Sequence, residues 1–356
     1  MITTRDIYKW LQCSLLLSGL LLFVACSQDS SNDDEQSKGG TLRLSSVTRA
    51  SSRFSPVGGS SVYLFVTTKD DVFNRGDYSY ITTPSPSWTN SGVSVGENLQ
   101  YYIYGYMPRN DANDAYTSSI SKPEGSDYSI GADLTLSGLP VFTSKDICVT
   151  VGVRRVTSDS DETVANEGNF GYLSGLNSEN YVNLLMDHIY SDLKLVFKVD
   201  ANYNDLRLIK LKSVKLECTY GDKIQTKVLL RSGSGLGEAS VVYSKYGTGT
   251  STDHFFLKES DSNSPVVLDA TARELGSIYC PPIIFDYAGT YMSLVCTYDV
   301  YDRQDHQMRA SCTVENKFGL SHMVHGDQTT VTVTIAPTYL YMLGDYDLDN
   351  PTIKIN

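Results

Sequence analysis

The sequence is poor in histidine and tryptophan, with 5 His and 2 Trp in 356 residues, and it holds no paired-cysteine motif. Without a CxxC, the zinc-ribbon and thioredoxin-like classes fall away. HExxH and GxSxG are also absent, which removes the commonest metalloprotease and hydrolase signatures. Positive charge is scarce. Lys and Arg number 29 against 41 Asp and Glu, and the net charge of −12 argues against nucleic acid and anionic membrane surfaces as partners. No apolar run is long enough to cross a bilayer, which takes ~20 residues. The best stretch, Leu11 to Ala25, is broken by Gln12, Ser14 and Ser18. Helical periodicity is nearly missing too; only "YNDLRLIKL", after "DA", suggests a short turn.

Period-two alternation fills the gap. Tyr is abundant at 25, and the chain is rich in Thr, Val and Ser, residues that suit pleated sheet. "SVYLFVTT" (61–68), "LQYYIYGYMP" (99–108), "ADLTLSGLP" (132–140) and "ICVTVGVRRV" (147–156) all read as strands, and Tyr102, Tyr104 and Tyr106 share a face. "DLKLVFKVD" (192–200) turns Leu193, Leu195, Phe197 and Val199 inward and Lys194 and Lys198 outward. "TVTVTIAP" sets Val331, Val333 and Ile335 against Thr330, Thr332 and Thr334. With turn-rich stretches between such runs, the fold class is all-β, as two sandwiches in tandem joined near Ser178–Asp187. The expected domains are 41–180 and 181–356.

Candidate chemistry is thin. "SGSGLGEASVVY" (232–243) is Gly-rich but lacks Lys and leads into a strand, so it reads as a hairpin turn rather than a phosphate loop. His322, His325 and Asp327 fall close together in a loop-like segment. Asp345, Asp347 and Asp349 have calcium-loop spacing but lack the Gly and the closing Glu, so strand-end acids in a turn are expected. Asp161 and Glu162 read as solvated. No catalytic residue, metal ligand or cofactor is assigned. Cys148, Cys218 and Cys296 lie in apolar runs as small core residues; a Cys280–Cys296 or Cys296–Cys312 bridge is the alternative for an oxidising compartment.

The N-terminus changes character at one residue. Arg5 and Lys9 precede the apolar stretch, which ends Phe23-Val24-Ala25-Cys26 and gives way to "SQDSSNDDEQ". This resembles the lipobox of bacterial lipoproteins. On that resemblance, residues 1–25 are a lipoprotein signal peptide and Cys26 is the acylated first residue, its acyl chains giving stable anchoring. Residues 26–40 form a disordered tether with almost nothing apolar to bury.

Several stretches together resemble one family. They are the lipobox, "SSVTRAS", "YYIYGYMP", "DLTLSGLPVFTSKDICVTVGVRR", "HIYSDLKLVFKVDANYNDLRLIKLKSVKL" and the C-terminal "APTYLYMLGDYDLDNPTIKIN". The chain resembles the fimbrillins, the Mfa-like pilin subunits of type V fimbriae in Gram-negative anaerobes. The resemblance implies two tandem transthyretin-like (Greek-key) β-sandwich domains and export as an outer-membrane lipoprotein precursor. It implies cleavage by an Arg-specific surface protease, then assembly with other fimbrial subunits by β-strand exchange, supporting adhesion to a host or bacterial surface ligand.

The cleavage site expected on this basis is Arg49–Ala50, with Arg43 and Arg53 as alternatives. Residues 41–49 would be the removable strand, anchored by Leu42 and Leu44. Residues 351–356 would be the donor, with Ile353 and Ile355 as alternate anchors. The competing reading is a permanently anchored outer-membrane lipoprotein that binds glycans or another ligand. It would stack sugars on Trp88 or on Tyr102, Tyr104 and Tyr106. An enzyme is the third and most distant reading.

Overall fold

A computed structural model describes residues 40–49, 59–68, 73–82, 86–90, 93–109, 116–123, 131–156, 161–163, 170–174, 180–231, 239–261, 265–285, 291–320, 323–339 and 346–355. Cys26, the signal peptide and nearly all of the expected tether lie outside these residues.

Alternating side chains produce strands almost everywhere. The first part of the chain forms β1 (Gly40–Thr41), β2 (Arg43–Arg49), β3 (Ser61–Thr67), β4 (Asn74–Ile81), β5 (Ser87–Asn90), β6 (Ser94–Val95), β7 (Gln100–Met107) and β8 (Thr117–Ser121). Next come β9 (Gly131–Pro140), β10 (Cys148–Val156), β11 (Asp161–Thr163), β12 (Gly171–Leu173), β13 (Tyr181–His188), β14 (Ser191–Val199) and β15 (Arg207–Cys218). They are followed by β16 (Lys223–Arg231), β17 (Ser240–Tyr246), β18 (Thr252–Leu257), β19 (Val266–Leu268) and β20 (Arg273–Cys280). The last four are β21 (Met292–Asp302), β22 (Met308–Phe318), β23 (Gln328–Tyr339) and β24 (Tyr346–Ile355). The α-helix α1 (Ala201–Leu206) realises the short turn expected there; Asp200 caps it, accepting from the Asn202 and Tyr203 amides at 3.1 and 3.2 Å.

The strands build four large sheets and the small pair β1–β6. A nine-stranded sheet runs β2-β13-β10-β7-β3-β4-β5, with β11 on β10 and β12 on β7. Another sheet runs β17-β16-β9-β8. The C-terminal sheets run β20-β14-β23-β24 and β18-β15-β21-β22, with β19 on β15.

Packing follows the alternation. Leu193, Leu195 and Phe197 of β14 and Val331, Val333 and Ile335 of β23 are buried in one cluster with Ile209 and Leu211 of β15 and Leu294 and Cys296 of β21. That is a β-sandwich core. β15 changes phase midway, because a register shift between Leu211 and Ser213 lets Leu211 and Val214 both face in. On the N-terminal side, Leu134 and Leu136 of β9 join the same core as Phe65, Tyr104, Tyr106 and Val149. The opposite face of the nine-stranded sheet has its own core of Val62, Leu64, Ile103, Val182, Leu184 and Met186.

Besides the pairing of β2 with β13, two ladders run across the expected joint at 180/181. β13 pairs with β10 in the nine-stranded sheet, and β16 pairs with β9 over Lys223–Arg231 and Gly131–Pro140. Asp133 on β9 reinforces the second ladder. Its carboxylate meets Lys227 at 2.8 Å and also binds Arg231, and these partners outweigh burial and hold its pKa below the usual carboxylate value.

Candidate strand-exchange site

The N-terminal edge is built around apolar anchors. β2 pairs in parallel with β13, its one ladder among the described residues, so it is the end strand of the sheet. Leu42 and Leu44, the expected anchors, are 0% and 2% exposed, and Val47 joins them at 2%. A spacing of three would put Val47 on the wrong face of a regular strand. A register shift sets Val182 opposite Leu44 but Asn183 opposite Ser46, so Ser45 is the extra residue that returns Val47 to the core.

The entry to β2 is fixed by Asn180. Its carbonyl accepts from the Arg43 amide at 3.0 Å, and its side chain accepts from the Tyr172 hydroxyl at 2.8 Å. Leu42 donates to Val93 at 2.9 Å, and the Tyr78 hydroxyl donates to the Leu42 carbonyl at 3.1 Å. A Cβ on Gly40 would collide with the Asn180 side-chain amide, so glycine permits this approach. Three wholly buried side chains at ~1.5–3 kcal/mol each contribute roughly 5–9 kcal/mol. Arg49 is the last residue of the strand, opposite Met186. Ala50 and Arg53 lie outside the described residues.

The C-terminal edge is built differently. β24 pairs antiparallel with β23 and is the end strand of its sheet. Ile353 is 6% exposed and Ile355 is half-buried. The ladder is interrupted between Ala336↔Thr352 and Thr338↔Asp347. Pro337, with no N–H to give, faces that gap. Polar groups hold the interrupted stretch instead. Tyr203 donates to the Leu348 carbonyl at 2.7 Å, and Tyr298 to the Pro351 carbonyl at 3.0 Å. Arg207 bridges Asp349 at 3.0 Å and Asp302 at 2.9 Å. Asp347 accepts from the Asn350 side chain and from the Asn350 and Asp349 amides, which keep its pKa below the ordinary value, the side-chain bond most of all. These two described acids of "DYDLDN" therefore serve a turn and an ion pair; Asp345 lies outside the described residues. A cavity of about 270 Å³ separates α1 from β24, lined by Tyr203, Leu206, Pro337 and Leu348.

A third grouping was not visible in the sequence. Asp146, Cys148 and His188 bring their ligand atoms within 4.8 Å of one another. Cys148 opens β10, His188 closes β13, and the two are direct partners in the ladder. A separation of 40 positions conceals that pairing in the sequence. The only local signal is Asp-x-Cys, which puts two donors on one side of an extended chain.

No family model and no curated protein matches the sequence. Solved structures do. Its structural neighbours include fimbrial proteins. One is a fimbrial protein from Bacteroides vulgatus, at a TM-score of 0.48 and 14% identity over 89% of this chain and 98% of that one. Another is the fimbrial anchor protein Mfa2 from Porphyromonas gingivalis, at a TM-score of 0.30 and 8% identity over 89% and 97%.

Two expectations need correction. Tyr102, Tyr104 and Tyr106 cannot stack sugars, because they are 2%, 1% and 0% exposed. β7 is central in its sheet and covered on both faces, so its tyrosines pack inward; the Tyr104 hydroxyl accepts from the Gly131 amide at 3.0 Å, and that of Tyr106 donates to Ser118 at 3.1 Å. Neither proposed disulfide forms: none of Cys148, Cys218, Cys280, Cys296 and Cys312 is disulfide-bonded, and all but Cys312 are buried. Trp88 is half-buried on edge strand β5 and rests on Tyr80 with ring centroids 5.1 Å apart. His325 is described, with its Nδ1 donating to the His188 carbonyl at 2.9 Å; His322 is not described.

Proposed function

We propose that this protein is a structural, non-enzymatic pilin subunit of the fimbrillin type, with a role in surface adhesion. It is exported as a lipoprotein acylated on Cys26, held at the outer membrane by the 26–40 tether, and cut after Arg49. Loss of residues 41–49 then opens the nine-stranded sheet to a strand from another subunit.

The observation that carries the reading is the edge strand β2. Leu44 and Val47 within it and Leu42 just before it are buried, and the strand ends at Arg49. One cut there would free the strand as a unit and bare the flank of β13. The vacated slot is apolar and lined by unpaired main-chain groups, the conditions for strand addition. Ile353 and Ile355, at the other end of the chain, have the same spacing of two as Leu42 and Leu44.

Arg49→Ala tests the cut. The variant should stay cell-bound and form no SDS-resistant ladder, whereas Arg43→Ala should assemble normally. Equal shedding and equal ladders from Arg49→Ala and the wild type would sink the proposal.

A further inference from the structure

We propose that Asp146, Cys148 and His188 form a binding site for a thiophilic divalent cation, zinc in the first instance. The inference does not depend on the pilin reading.

The donor set selects the metal. Thiolate, imidazole and carboxylate together suit zinc or a related transition ion, whereas calcium and magnesium take oxygen ligands. The geometry is close to that of a bound ion. Cys148 Sγ lies 3.6 Å from both His188 Nδ1 and Asp146 Oδ1. Donors on one tetrahedral zinc, at bond lengths of ~2.0–2.3 Å, stand about 3.3–3.7 Å apart. Both sulfur separations already fall in that range. Asp146 Oδ1 and His188 Nδ1 are 2.5 Å apart and need to open by under about 1 Å. Asp146 can supply that movement, because it lies in the stretch before β10 rather than within a ladder.

The same distances disfavour a catalytic relay. A Cys–His–Asp relay uses the two ring nitrogens separately, one for the nucleophile and one for the acid. Here Cys148 and Asp146 both face Nδ1. Three donors converging on one point are a ligand set.

The site has backbone support. The His188 amide donates to Asp187 Oδ1 at 2.9 Å, and the His188 carbonyl accepts from His325 at 2.9 Å. These bonds fix the main chain at His188. Ile189 donates to the Ile147 carbonyl at 2.9 Å, so the segment carrying Asp146 already touches the turn from β13 to β14. Three protein ligands leave a fourth position for water. On binding, the Cys148 thiol gives its proton to solvent and the ion takes the thiolate; no electron moves. A bound ion would pin the segment before β10 to the end of β13.

Cobalt(II) titration of the purified full chain tests this. Wild-type protein should develop a thiolate-to-cobalt charge-transfer band that zinc abolishes. Cys148→Ser and His188→Gln should lose the band, while Cys312→Ser, at the most exposed of the five described thiols, should keep it. Because a variant can misfold, the wild-type protein provides a second readout: zinc should shield Cys148 from alkylation under partly denaturing conditions, read by peptide mass spectrometry. The absence of a band, or one that survives in a folded Cys148→Ser protein, would mean a hydrogen-bonded cluster only and would overturn the proposal.

Discussion

Two of the edge strands, β2 and β24, are held by different forces. β2 and the preceding Leu42 contribute three buried apolar side chains, and the entry to the strand is set by a few hydrogen bonds with Asn180, Tyr78 and Val93. β24 buries Ile353 and Pro351, sets half-buried Leu348 and Ile355 against the core, and relies on Tyr203, Tyr298 and Arg207 to fasten a stretch where its ladder is broken. Apolar burial secures β2 by roughly 5–9 kcal/mol and Ile353 on β24 by ~1.5–3 kcal/mol. Net hydrogen bonds add only ~0.5–1.5 kcal/mol each. Removing β2 therefore leaves a demanding vacancy. β24 gives up fewer wholly buried large side chains on leaving its place. An acceptor slot and a donatable strand call for that asymmetry.

The largest expected effect comes from removing β2 outright. A chain beginning at Ala50 should lose about 5–9 kcal/mol, a large share of the ~5–15 kcal/mol that a domain commands. Its urea midpoint should fall steeply, and a peptide spanning 41–49 should restore much of the loss. A midpoint within error of the longer chain would erase the contrast between the edges. Leu44→Ala comes next, at about 2–5 kcal/mol by the same titration, against a smaller cost for Ile355→Ala, which is already half exposed. If the two variants cost the same, burial is not what distinguishes the strands.

Smaller effects probe the polar ties. Arg207→Ala breaks ion pairs to Asp302 and Asp349 and should cost about 1 kcal/mol or less, with a loss that shrinks further in high salt. Deleting 351–356 should abolish polymer ladders while circular dichroism remains that of folded sheet; unchanged ladders would remove β24 as the donor. The smallest effect concerns the thiols. Burial pushes the Cys296 thiol up to about 12 and Cys280 well above its ordinary value. A raised thiol pKa means less thiolate at any given pH, so at mildly alkaline pH native protein should be alkylated at half-exposed Cys312 first.

Much of this was legible in the sequence because the sandwich strands are pure alternation. The inward row of Leu193, Leu195, Phe197 and Val199 follows directly from "DLKLVFKV", and that of Val331, Val333 and Ile335 from "TVTVTI". Leu42 and Leu44 were legible for the same reason. Val47 was not, since a bulge is a property of the ladder and the partner strand cannot be read from residues 41–49 alone. The tyrosines of β7 misled because alternation gives a face but not what covers it. The β9–β16 ladder and the Cys148–His188 pairing join residues far apart in the chain, and such register is set by the packed sheet rather than by any local pattern.

The central claim is that the subunit is released by a cut at the end of β2. N-terminal sequencing of protein sheared from cells tests it most directly. The account predicts a mature chain beginning at Ala50 and running as SDS-resistant ladders. A sheared protein that still begins at acylated Cys26, with β2 in place, would contradict it.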